Sequence, residues 1–198
     1  MKLMQSFFGA APTLTSVAQA LAQAEPAISA RPWQQVNVRA IGGLTALGFA
    51  RSRDVLLVTS QSGQSVMDGT TGETMYRNRD ADGLDTSALK GTRLDHPADE
   101  RFDMVGLYGG ALRTMTDDGW SIEKIATPAG VQCLLQPPKA SIHFADPKWN
   151  GHGKDATFYL MGTAGADIRA YGFSWTGRIL ALATSGSLTL WSRPAPLS

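Results

Sequence analysis

The sequence predicts a mainly β fold of propeller-like or sandwich-like antiparallel sheets, preceded by an N-terminal α-helix. Three observations carry that prediction. First, two stretches 124 residues apart repeat one β unit: Leu44–Asp68 reads LTALGFARSRDVLLVTSQSGQSVMD, and Ile168–Trp191 reads IRAYGFSWTGRILALATSGSLTLW. Second, from Val36 onward, short apolar stretches rich in β-branched and aromatic residues are punctuated by Gly and polar turns, the pattern of short strands. Third, no long helical pattern alternates with those strands, which argues against a parallel α/β sheet.

The elements follow in order. Thr13–Ala24 reads as a helix: Thr13 can cap the first turn, Leu14, Val17, Ala18 and Leu21 share one face, and Pro26 stops it. A stripe of Leu, Val and Ala is a docking face, so residues 1–30 form a helical segment and residues 31–198 a single β domain. Strands are expected near Val36–Ile41, Ala46–Ala50, Asp54–Thr59, Gln64–Asp68 and Thr74–Arg77. Further strands fall near Met104–Leu107, Leu112–Thr114, Ser121–Ile125, Val131–Leu135, Ala140–Phe144 and Thr157–Met161. The last three cover Ile168–Phe173, Arg178–Ala183 and Ser187–Trp191. Within the repeat, Ala46, Gly48, Phe49 and Leu56 recur as Ala170, Gly172, Phe173 and Leu180, and one gap brings Ser62-Gly63 onto Ser185-Gly186. Two polar inserts interrupt the pattern. Asn78–Arg101 reads as a long surface loop with a helical turn around Thr86–Lys90, and Pro147–Asp155 as a second loop. Loops of this kind on a β scaffold are where binding residues tend to sit.

The repeated unit resembles a blade of the WD40-type β-propeller family, in which a Gly-Phe-rich strand leads to an apolar strand and then to one ending in Trp-Asp. Leu180–Trp191 resembles that ending, with Ser192 in place of the aspartate, and Val55–Glu73 resembles it including Thr-Gly-Glu. The spacing departs from the family's repeat of about 40–45 residues. The phrases VTSQSGQSVMDGTTGE, VGLYGGALRTMTDDGW and IRAYGFSWTGRILALAT are also similar to a group of small bacterial proteins of unassigned function. That resemblance implies a bacterial origin and brings no activity with it.

Composition narrows the function classes. Eighteen basic and 17 acidic residues give a net charge of +1, and the longest basic cluster is Arg51 with Arg53. Nucleic-acid binding, which calls for clustered Lys and Arg, is therefore not expected. No run reaches the roughly 18 apolar residues of a membrane span. Ala22-Gln23-Ala24 has the form of a signal-peptide cleavage site, but Pro12, Thr13, Thr15, Ser16 and Gln19 dilute the apolar stretch before it. The single cysteine, Cys133, lies in an apolar run and reads as a packed core residue. These features point to a soluble cytoplasmic protein.

Candidate chemistry is sparse. Asp80-Ala81-Asp82-Gly83-Leu84-Asp85 has a D-x-D-G look, but it departs from an EF-hand loop at positions 5, 6 and 12 and reads as an acidic turn. His143, Asp146, His152 and Asp155 are the candidate metal ligands, without helical H-E-x-x-H spacing. Ser60, Ser62 and Ser185 lack a nucleophile elbow. Gly109-Gly110 and Asp117-Asp118-Gly119 read as hairpin turns. Trp33, Trp149 and Trp175 stand outside the strands, either as interface anchors or as lids over the core. Neither a catalytic set nor a cofactor motif is recognisable. The expected function is non-catalytic binding of a protein partner, as an adaptor or toxin-neutralising protein, through Trp149, His152, Trp175, Asp82 and Asp85. The alternatives are a small metal-dependent hydrolase using the His143/His152 region and a structural subunit of an oligomer; the oligomeric state is left open.

Overall fold

The computed structural model describes residues 24–96, 101–127, 130–138, 157–161 and 167–195. Among these the chain is mainly β, with four mostly antiparallel sheets and no α-helix. In chain order the strands are β1 (Glu25–Pro26), β2 (Gln34–Ala40), β3 (Leu44–Phe49), β4 (Val55–Ser60), β5 (Gly63–Asp68), β6 (Thr74–Asn78), β7 (Leu84–Asp85), β8 (Lys90–Thr92), β9 (Arg101–Asp103), β10 (Val105–Gly106), β11 (Ser121–Thr127), β12 (Gly130–Gln136), β13 (Tyr159–Met161), β14 (Ile168–Phe173), β15 (Ile179–Thr184) and β16 (Ser187–Ser192). A 3-10 turn at Ala27–Ser29 follows β1. The sheets run β10-β3-β4-β5-β6, β14-β15-β16-β2, β1-β13-β12-β11 and β7-β8-β9, and among the described residues they form no closed propeller. The expected helix up to residue 23 and the expected strand Ala140–Phe144 lie outside the described residues.

The repeat is structural down to its irregularities. Leu47 faces Val58 and Phe49 faces Leu56 in the first copy, as Tyr171 faces Leu182 and Phe173 faces Leu180 in the second. A register shift falls between Leu44 and Ala46 and again between Ile168 and Ala170. The third strands match as well: Leu56 faces Met67, and Leu180 faces Trp191. The offset of 124 residues therefore continues through the turn, so Gln61-Ser62 corresponds to Ser185-Gly186. The gap that sequence identity suggested at Ser62 does not exist, because a two-residue turn closes both hairpins.

Both copies turn the same face in the same direction. Leu47, Phe49, Leu56, Val58 and Met67 of the first copy share a core with Ala170, Ile179, Ala181, Ala183 and Leu190 of the second. The second copy's equivalents of the first set, among them Phe173, Leu180, Leu182 and Trp191, pack instead on Ile122, Cys133, Leu135 and Met161 of the β11–β13 sheet. The first copy's other face, with Ala46, Val55, Leu57 and Val66, meets Phe102 and Met104 around β9. The sheets thus stack head to tail, which is why β4 and β15 are apolar on both faces where a half-exposed strand would alternate. Each such Leu contributes about 2 kcal/mol by leaving water.

The fourth strand of each copy comes from a different place. In the first it is β6, directly after β5; in the second it is β2, which precedes the first copy and pairs with β16. β2 and β16, far apart in the sequence, are thereby joined in one sheet. The glycines of the two Gly-Phe strands have a shared cause. A Cβ on Gly48 would stand 2.4 Å from the Asp103 carbonyl oxygen, and one on Gly172 would stand 2.6 Å from that of Arg113. A crossing segment lies on each strand at that residue, and only glycine leaves it room.

The 78–101 excursion corrects the sequence reading. Instead of a loop with a helical turn, its described part holds the β7–β8 hairpin, which β9 extends, and residues 86–89 form a turn into β8. Leu112–Thr114 is not a strand; Arg113 makes an isolated bridge to Phe173. The turns at Gly109-Gly110 and Gly119 are present, with φ of 115°, 87° and 93°. Cys133 is fully buried, and burial pushes its thiol up to about 12. Ellman's reagent is therefore expected to label the native chain at least about a hundredfold more slowly than the urea-unfolded chain, since only thiolate reacts. Rapid labelling of the native protein would refute this packing.

Candidate functional site

Trp175 occupies the β14–β15 turn, and the first copy's β3–β4 turn lies beside it. Asp54, with a side chain only 7% exposed, connects the two. Its Oδ1 accepts hydrogen bonds from Ser174 Oγ at 3.1 Å and from Thr176 Oγ1, and its Oδ2 lies 3.5 Å from Arg178 Nη1. Ser174 N donates to the Ile179 carbonyl, closing the turn. Trp175 is therefore held on a rigid turn from both sides, yet it remains 37% exposed.

Below the indole is a cavity of about 180 Å³ lined by Phe49 and Phe173, the equivalent aromatics of the two copies, with Leu112, Arg113, Asp103 and Trp175. Arginines form its rim. The Arg51 guanidinium sits 4.7 Å from the Trp175 ring centroid, and Arg113 Nη1 donates to the Trp175 carbonyl at 2.8 Å. Arg51 also pairs with Asp103 at 2.7 Å, and Lys90 pairs with the carboxylate's other oxygen. The Lys90 hydrogen bond, and after it that of Arg51, holds the Asp103 carboxyl below its ordinary range despite partial burial. The result is an apolar slot with a flat aromatic edge and fixed charges of both signs. No nucleophile–base pair lies among its lining residues.

Of the other expected site residues, the structure describes Asp82 and Asp85, which lie away from this slot. Asp82 and Asp85 cap turns: Asp82 Oδ1 accepts from Leu84 N, and Asp85 Oδ1 accepts from Ser87 N, Ser87 Oγ and Ala88 N. Those bonds, led by the one from Ala88, hold the Asp85 carboxyl below its ordinary value. Trp149, His143, Asp146, His152 and Asp155 lie outside the described residues, as does all of Pro147–Asp155. Among the described residues no group of three His, Cys, Asp or Glu side chains could hold a metal. Trp33 is a lid, 1% exposed, edge-on to Trp120 at 5.9 Å and tilted over Phe173 at 5.4 Å. Ser60 is the last residue of β4, and its Oγ accepts from Ser62 N in the turn that follows.

Of the residues around this slot, sequence reasoning had singled out Trp175 but not Arg113, Asp103 or the paired phenylalanines. The 124-residue equivalence of Phe49 and Phe173 was the available signal. No helix among the described residues is long and apolar enough to cross a membrane. No protein-family model matches this chain, and no curated protein matches it.

Proposed function

We propose that the chain is a non-catalytic, adaptor-type protein-binding module on a propeller-like scaffold, with Trp175 at the centre of its recognition surface. The observation that carries the reading is an exposed tryptophan pinned on a rigid turn, above an apolar slot and between two arginines. Trp and Arg are the residues most enriched where binding energy concentrates, and immobilisation in advance lowers the entropic cost of binding. The slot is sized for one large apolar side chain of a partner, and the Arg51, Arg113 and Asp103 groups would fix its orientation. Head-to-tail stacking supports propeller-like blades over a sandwich, where like faces meet, and so does the use of β2 to complete the last sheet.

The test is a pull-down from bacterial lysate with quantitative mass spectrometry, comparing the wild type with Trp175→Ala. The variant is expected to keep its melting temperature, because the indole is part-exposed and its turn is held by Asp54. It should lose the captured protein, with affinity reduced about thirtyfold or more. Capture that is equal for both proteins, or absent for both, sinks the proposal.

A further inference from the structure

At the opposite ends of the same strands lies a second cleft, about 350 Å³ in volume, between the β2–β3 turn, the β4–β5 hairpin and β6. We propose that this cleft binds a small phosphate monoester, independently of the Trp175 surface. Its wall carries three arginines, Arg39, Arg77 and Arg79, interleaved with the hydroxyls of Ser60, Ser65 and Thr74, and no acidic residue lines it.

The pairing of those arginines sets them apart. Arg51, Arg93, Arg113, Arg169, Arg178 and Arg193 each have an aspartate within 4.0 Å. Among the described residues none of the three cleft arginines does. Their positions are fixed by neutral acceptors instead: Arg39 Nη1 donates to Thr74 Oγ1, while Arg77 donates to Ser65 Oγ at 2.6 Å and to the Ser62 carbonyl at 2.9 Å. Neutral partners orient a guanidinium without cancelling its charge. Three positive charges thus converge in one concavity of a chain whose total is only +1.

That arrangement selects the ligand class. One guanidinium satisfies one carboxylate through a bidentate fork, so three such groups with supporting hydroxyls fit a dianion with three oxygens to share. The volume falls near the lower limit of small-molecule sites, roughly 300 Å³, and leaves room for an organic group attached to the phosphoryl. The arginines come from β2 and from the end of β6, so the site exists only because β2 returns to close the second copy's sheet beside the first.

Calorimetric titration of the full chain at a fixed ionic strength of about 0.15 M tests this, with inorganic phosphate and glycerol 3-phosphate as probes. Saturable one-to-one binding of glycerol 3-phosphate, at least as tight as that of phosphate, is expected. Arg79→Gln should weaken it about tenfold, the scale of one charge-assisted contact, and adding Arg77→Gln should weaken it further. Arg79 has no hydrogen-bond or ion-pair partner among the described residues, so that variant should melt with the wild type. Arg53→Gln, outside the cleft, should bind normally. The absence of saturable binding, binding indifferent to both cleft variants, or binding of phosphate without its ester would each overturn the assignment.

Discussion

Arg193→Met is expected to lower the unfolding free energy by about 3 kcal/mol, the low end of the range for removing one partner of a buried ion pair. The low end applies because Arg193 is buried whereas the Asp118 side chain keeps 32% of its surface exposed. The Arg193 side chain is 3% exposed and binds Asp118 through both ends of its fork, at 2.5 and 2.7 Å. Its Nε donates to the Gly177 carbonyl, and the guanidinium lies 4.7 Å from the Trp33 ring centroid. One side chain therefore joins the segment after β16 to the Thr116–Trp120 turn, to the β14–β15 turn and to the lid over the second core. Methionine can fill the volume but removes the side-chain donor of the Gly177 oxygen and leaves the Asp118 carboxylate to the Thr116 hydroxyl and solvent. Urea unfolding followed by tryptophan fluorescence measures the loss, and a change below about 1 kcal/mol would show that the pair contributes no more than a surface bridge.

The pH dependence of that difference provides an internal check. Hydrogen bonding from Arg193, assisted by Thr116, lowers the Asp118 carboxyl from 3.8 to about 2, against a partial opposing effect of burial. A carboxylate depressed by folding stabilises the native state fully above its unfolded value and ceases to do so as pH falls through its folded value. The gap between wild type and Arg193→Met should therefore hold constant from pH 7 to about 5 and then narrow toward pH 2. Asp68, Asp95 and Asp103 are also held low, so acid sensitivity of the wild type alone belongs to no single group. The difference between the two proteins isolates Asp118.

Much of the β architecture was legible because each copy's central strands are apolar on both faces and end at small polar turns. The 78–101 excursion was not legible, for a physical reason visible at Gly91. A Cβ there would stand 2.6 Å from Leu57 Cδ2 and 2.7 Å from Met104 Sδ, so a residue that reads as loop punctuation is a close-packing position in β8. The pairing of β2 with β16 was equally hidden, since it joins residues about 150 apart that share no pattern beyond strand propensity. The same holds for the two clefts. Trp175 stood out as an aromatic residue in a turn, whereas Arg39, Arg77 and Arg79 are spread over 40 residues and gather only when the two copies pack. A count of adjacent basic residues sees Arg51 and Arg53 and passes over the cluster that folding creates.

Gln64→Leu should have the second large effect, a loss of about 3 kcal/mol, and its consequence should be local before it is global. Gln64 is buried on β5, where its Nε2 donates to the Asp82 and Thr92 carbonyls at 2.7 and 3.0 Å and its Oε1 accepts from Leu94 N at 2.9 Å. One amide thereby fastens both arms of the β7–β8 excursion to the first copy. Leucine keeps most of the volume, so the main penalty comes from taking this partner away from three part-buried backbone groups, at about 1 kcal/mol each, the low end of the cost of an unpaired group. The chain can reduce that cost by releasing residues 78–96 into solvent, which makes local opening the cheaper response. Amide exchange at Leu94 and Thr92 should accelerate far more than at β4 or β15, and the melting temperature should fall by roughly 6–12 °C. Gln64→Glu should be worse at neutral pH, because a carboxylate would face two carbonyl oxygens with no proton to give them. If Gln64→Leu instead leaves those exchange rates unchanged, the excursion is held by its own sheet, and Gln64 serves only as packing.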